Sequence, residues 1–218
     1  MLNRNGSLRF AFVAIAAVGV LGTAFLVKTA AQAPPGAGRA GGLYPTYEAD
    51  DDTAGFVPIF DGKTLDGWDG DTTFWRAEEG VIVGETTPEK VVKGYQADMD
   101  IGNGFSGNLH EERGRKPGHV VLARRGQLTR ITDGPHYKEL ATLGDSTLLR
   151  GIVNVGGWNK YHIIARGPIM LQILNGHLVS GTIDEDSANF VPEGVLAFQM
   201  HVGPPFKIEY KNILYRKL

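Results

Sequence analysis

The sequence predicts an all-β fold, an antiparallel sandwich or jelly roll, on three observations. Gly makes up 30 of 218 residues, about twice the usual ~7%, and 11 Pro add further turn sites. Many short apolar or alternating stretches are separated by turn residues. Beyond the N-terminal segment no long amphipathic helical pattern occurs. A hydrophobic content of 42% with 21% charged residues suits a chain that buries a core. The formal net charge is −2 and no basic stretch stands out, which argues against a nucleic-acid partner. With no Cys, disulfides, thiolate metal sites, Cys nucleophiles and lipidated-Cys anchors are excluded.

Residues 1–33 read as an export signal. Arg4 and Arg9 come before an apolar run from Phe10 to Val27, and Ala31-Gln32-Ala33 offers small residues for cleavage. An uncleaved N-terminal anchor is the alternative, because the run overlaps the ~17–25 residues of a membrane-spanning helix. Either use implies an exported protein, in the periplasm or at the cell surface, with any membrane tether confined to this segment. Losing Arg4, Arg9 and Lys28, and no acid, would leave a mildly acidic remainder. Residues 34–54 are rich in Gly, Pro and Ala and then acidic at Asp50-Asp51-Asp52, so they read as a linker.

The domain begins at Gly55. Phe56–Phe60 leads into Asp61-Gly62, and Val81-Ile82-Val83 lies between Gly80 and Gly84. His119–Ala123 is β-branched and apolar. Tyr161–Ala165 ends at Gly167, and Ile169–Leu174 ends at Asn175-Gly176, a hairpin turn in which both residues must take φ > 0. Leu178–Ile183 runs back, and Val195–His201 is followed by Gly203-Pro204-Pro205. Phe206, Ile208 and Tyr210 alternate, then Ile213 and Tyr215 alternate in the opposite parity, so a bulge is expected near Lys211-Asn212. Only His136–Leu143 suggests a short helix.

Five features carry candidate chemistry. Trp68 and Trp75 can stack on a sugar face, although a Trp near a Gly turn is more often a core anchor. In Gly94–Asp100 a strand would set Gln96, Asp98 and Asp100 on one face and Tyr95, Ala97 and Met99 on the other. Such a polar row can bind hydroxyls or a hard cation, or simply face solvent. In Leu109–Arg115, Glu111 and Glu112 beside Arg113 and Arg115 could provide a base and an oxyanion clamp, or a solvated loop. Gln199 and His201 would share the polar side of a strand whose Phe198 and Met200 face the core. Trp158-Asn159 reads as packing plus a turn bond through Asn159. The remaining His residues show no metal-binding spacing, and no P-loop, G-x-G-x-x-G or G-x-S-x-G occurs.

In order along the chain, Gly55–Trp68, Phe74-Trp75-Arg76, Gly80–Glu85, Gly94–Asp98, Glu112–Arg115, Trp158–Tyr161, Gly194–Pro204 and Lys211–Lys217 resemble the 3-keto-disaccharide hydrolase domain family, long known as DUF1080. The resemblance implies a concanavalin-like jelly roll over residues 55–218, acting as a hydrolase on glycosidic bonds of 3-keto-glycosides and disaccharides. A ketone at C3 acidifies the C2 proton, a base removes it, and the glycosidic oxygen at C1 leaves before water adds back. The resemblance implies Glu112 or His201 as base, Arg113 as enolate stabiliser, and Tyr95, Gln96, Asp98 and Gln199 as substrate contacts. It also implies a divalent cation in part of the family, with Asp98, Glu112 and His201 as its ligands. Two departures bear on this. The stretch between Thr87 and Gly94 is short by two or three central strands, roughly 30 residues at ordinary strand and loop lengths. A Tyr-Asp pair usual before the Glu is replaced by His110-Glu111. The alternative function is a carbohydrate-binding sandwich module without turnover.

Overall fold

A computed structural model describes residues 10–11, 21–29, 53–85, 93–100, 102–199 and 206–218, the first two segments as backbone only. The strands are β1 (Phe10–Ala11), β2 (Leu21–Thr29), β3 (Val57–Pro58), β4 (Trp68–Asp69), β5 (Trp75–Glu78), β6 (Val81–Glu85), β7 (Gly94–Ala97) and β8 (Leu109–Glu112). They continue with β9 (His119–Ala123), β10 (Gln127–Thr132), β11 (His136–Thr142), β12 (Trp158–Arg166), β13 (Ile169–Leu174), β14 (His177–Glu185) and β15 (Lys207–Lys217). One short helix, α1 (Ser146–Gly151), precedes β12.

The predicted all-β jelly-roll sandwich is what forms. A large curled sheet runs β11-β10-β14-β13-β12-β2-β15-β6-β5, with β3 on β15. Its pairings are antiparallel except β10 with β14. A second, three-stranded antiparallel sheet, β7-β8-β9, lies against β10 and β14. Two apolar clusters fill the interior. One gathers Trp75, Ile82, Tyr161, Leu174, Phe198, Tyr210 and Ile213. The other, between the two sheets, holds Tyr95, Leu109, Leu122, Ala123, Ile131, Ala165 and Met170. Burying an aromatic or branched side chain of this kind contributes roughly 1.5–3 kcal/mol, which orients the small sheet with one face inward.

Local expectations mostly hold. Asn175 and Gly176 take φ of 49° and 82° and close the β13–β14 hairpin, with Leu174 opposite His177. The bulge in β15 falls between Lys211 and Leu214, with Asn212 at φ 52°. Trp75 is buried, and Trp68 stacks on Phe198 while its Nε1 donates to the Ile59 carbonyl at 3.0 Å, so both act as core anchors. Asn159 accepts from Asn154 N at 2.8 Å and donates to Asn154 O at 2.9 Å, the turn bond expected of it. The stretch between β6 and β7, expected to be short of strands, lies outside the described residues at 86–92.

One element is corrected. His136–Leu143 is not helical. The Asp133-Gly134-Pro135 turn folds it back as β11, an exposed edge strand paired with β10, so pairing overrides its helix-favouring Lys, Glu, Leu and Ala. The helix starts later, where Asp145 caps it by accepting from Thr147 N and Leu148 N. The cleavage residues Ala31–Ala33, the acidic Asp50–Asp52, Met200 and the Gly203-Pro204-Pro205 turn lie outside the described residues.

Candidate active site

The small sheet has an inner and an outer face, and β8 alternates between them. Register places Tyr95 opposite Glu111, and Gln96 opposite His110. It also places Glu112 between Gly94 and His119. Tyr95 and Leu109 turn into the core, and a bulge between Leu109 and His110 lets both Leu122 and Ala123 join them. Gln96, His110, Glu112 and His119 therefore share the outer face.

On that face Asp98 contacts His110 through Oδ2 and Nδ1. The contact needs a proton on Nδ1, which leaves Nε2 of a neutral imidazole as the lone-pair nitrogen. Nε2 is buried and has no hydrogen-bond partner among the described residues. The rings of His119 and Phe105 flank the imidazole at 5.5 and 6.1 Å. An orphaned buried nitrogen is costly, and it marks a place where a ligand group would be welcome. Beside it Glu112 is half-buried, and its Oε1 lies 3.3 Å from Nε of Arg113. Arg113 sits at φ 47° at the start of the turn, largely exposed, with its N–H on the Gly118 carbonyl.

The inner face carries a different charge cluster. Nη1 of Arg115 is 2.9 Å from Glu111 Oε1, Nη2 contacts Asp184, and Nε is 3.4 Å from Asp186. Tyr95 donates its hydroxyl to Asp184 at 2.5 Å. All these side chains are buried. Burial pushes the Glu111 carboxyl up, against the charge and amide of Arg115, which pull it down. Burial also raises the Tyr95 hydroxyl, as does its bond to Asp184. For Arg115 burial works against the charge, and the Asp184 carboxylate outweighs it.

The sequence-predicted site residues therefore divide. Gln96, Asp98 and Glu112 meet on the outer face, with Arg113 at its rim. Tyr95 lies on the inner face, its hydroxyl committed to Asp184. Gln199 is half-buried next to Phe198, which packs between Trp68 and Tyr210 in the other cluster. His201 lies outside the described residues. Asp100, expected in the polar row, is drawn into the β7–β8 loop, where it accepts from the amides of Gly104, Phe105 and Ser106 at 2.8–3.0 Å. Among the described residues no three His, Asp or Glu groups are arranged to hold a metal ion. Asp98, one of the expected ligands, is engaged by His110.

The profile of the 3-keto-alpha-glucoside-1,2-lyase-like domain matches residues 55–216. The chain belongs to this family. Two solved structures, each described as a putative glycosyl hydrolase from Parabacteroides distasonis ATCC 8503, are similar to it at low identity. One is 15% identical over 81% of this chain and 100% of that chain, with a TM-score of 0.38. The other is 16% identical over 75% of this chain and 99% of that chain, with a TM-score of 0.35. No curated protein matches.

Sequence reading missed His110. Its partner Asp98 is twelve positions away, across a hairpin whose register only folding sets. The available signal was parity, because β8 read as a strand puts His110 and Glu112 on one face.

Proposed function

We propose that this family member cleaves the glycosidic bond of 3-keto-glycosides by elimination followed by hydration, with the outer face of β7-β8-β9 as its active site. The Asp98–His110 pair carries the reading: Nδ1 is held by a carboxylate, while Nε2 is buried and without a partner among the described residues. That is the arrangement of an oriented general base.

In this scheme Nε2 of His110 takes the C2 proton, and the electron pair moves into the C3 carbonyl to give an enolate. Arg113, at the rim, stabilises the enolate oxygen. The C1–O bond then breaks, the departing oxygen takes a proton from Glu112, and an enone remains. Water adds at C1, its proton returns to Glu112, and C2 recovers the proton held by His110, so the net change is hydrolysis. Gln96 binds a sugar hydroxyl beside the base. Phe105, 57% exposed on a Gly-rich loop, holds its ring 6.1 Å from that of His110 and offers an apolar face beside the base. No step is routed through a cation; His201, one of the ligands the resemblance implies, lies outside the described residues.

The test is release of free sugar from a 3-keto-glucoside by the full chain, with and without EDTA. His110→Gln is expected to lower turnover by about 10²–10⁴-fold, the usual worth of a general base. Glu112→Gln is expected to lower it less for an activated aryl leaving group than for a sugar. Substrate retained by the wild type without release would assign a binding module instead.

A further inference from the structure

We infer that Leu21–Thr29 is a structural strand of the folded protein, completing in cis a strand-accepting slot between β12 and β15. The inference is independent of the glycoside reading. β2 is paired on both sides, to β12 from Trp158↔Lys28 to Ala165↔Leu21, and to β15 from Ile208↔Thr29 to Lys217↔Leu21. These neighbours are long strands, 9 and 11 residues. Strands lie ~4.8 Å apart, so without β2 they would face each other across about 10 Å, too far to pair. Two rows of backbone donors and acceptors would then be open in the middle of the sheet. The break would also run beside the core, because β12 supplies Tyr161 and Ala165 and β15 supplies Ile208, Tyr210 and Ile213.

Two further observations fit an evolved pairing. The β15 bulge, with Asn212 at φ 52°, falls within its register against β2. The run Leu21-Gly-Thr-Ala-Phe-Leu-Val27 carries no charge, and Lys28 follows it, as suits a strand with neighbours on both sides. The same run was read as the apolar core of an export signal. A central strand and a membrane-spanning segment are exclusive uses within one folded molecule, and the pairing assigns the strand.

The chain has no Cys, so engineered pairs report without background. In the full chain, Ala24→Cys with His162→Cys and Thr23→Cys with Ile163→Cys are in register. Opposed pairs alternate between about 5.5 and 4.5 Å, so at least one of the two meets disulfide geometry. Thr23→Cys with Lys160→Cys is three places out of register and serves as control. Near-complete oxidation within monomers for an in-register pair, but not for the control, is the expected result. Cross-linking no better than the control, or between two chains, overturns the inference. Should the Cys variants not fold, amide exchange of the unmodified chain decides: Leu21–Thr29 must be slowed at least 10²-fold, as β12 is, and free exchange there overturns the inference. Recovery of the exported protein beginning after Ala33 would overturn it as well.

Discussion

Glu111 and Glu112 are chemically identical neighbours, yet they belong to different machines. Glu111 points inward, buried against Arg115 with Asp184 and Asp186 beyond, and its proton is held more tightly than usual. Glu112 points outward, half-buried, toward the face that carries Gln96, Asp98 and His110. The period of two in a strand makes this division, and it puts one cluster in the interior and the other on the face proposed as the active site. The inner cluster ties the β8–β9 turn to the end of β14, joining the small sheet to the large one. The outer cluster holds the Nε2 of His110, buried and without a hydrogen-bond partner among the described residues, whereas the unpaired nitrogens of Arg115 in the inner cluster sit within an ion-pair network.

The largest expected effect breaks the inner cluster. Arg115→Met leaves Glu111, Asp184 and Asp186 buried without their cation. Removing one partner of a buried ion pair costs about 3–5 kcal/mol, so urea or thermal melting should show a strongly destabilised chain. His110→Gln and Glu112→Gln should melt close to the wild type while losing turnover. If Arg115→Met instead melts like the wild type and turnover alone disappears, the two clusters have exchanged roles.

A smaller effect tests how tightly the inner cluster is packed. A Cβ on Gly114 would lie 2.4 Å from Cδ of Glu111. That carboxylate cannot swing away, because Oε2 accepts from Arg115 N at 3.0 Å and Oε1 meets Nη1. Gly114→Ala should therefore cost about 1–3 kcal/mol, as overpacking does, measured by the same melts. A neutral result would mean that Glu111 moves freely and is not part of a fixed scaffold.

How far these clusters could be read from sequence follows from the range of their contacts. Local rules foresaw the Asn175-Gly176 hairpin, and a change of parity foresaw the β15 bulge. The row of Gln96 and Asp98 and its convergence with Glu112 were legible once both stretches were read as strands and set beside the family's motifs. Arg115 with Asp184 was not, since 69 positions separate them and only the stacking of two sheets brings them together. β11 failed for a related reason: its composition favours a helix, and the turn at Asp133-Gly134 commits it to pair with β10. The same distance limit concealed β2, whose apolar run is equally good as a signal or as a strand until β12 and β15 are seen on either side.

The smallest effect sharpens the comparison through pH. Burial raises the Glu111 carboxyl above the ordinary carboxylate value of ~4.3, so the folded state binds its proton more tightly than the unfolded chain does. Stability from this group is thus fully present below that ordinary value and is lost as pH rises through the folded value. Glu111→Gln has no proton to lose there. Exposed carboxylates whose protons are held less tightly, such as Asp61 and Asp133, slope the other way but do so equally in both proteins. The difference in melting temperature, wild type minus Glu111→Gln, should therefore fall between pH 4 and pH 8. A flat difference would mean that Glu111 ionises as an ordinary surface acid, and the inward reading of β8 would fail with it.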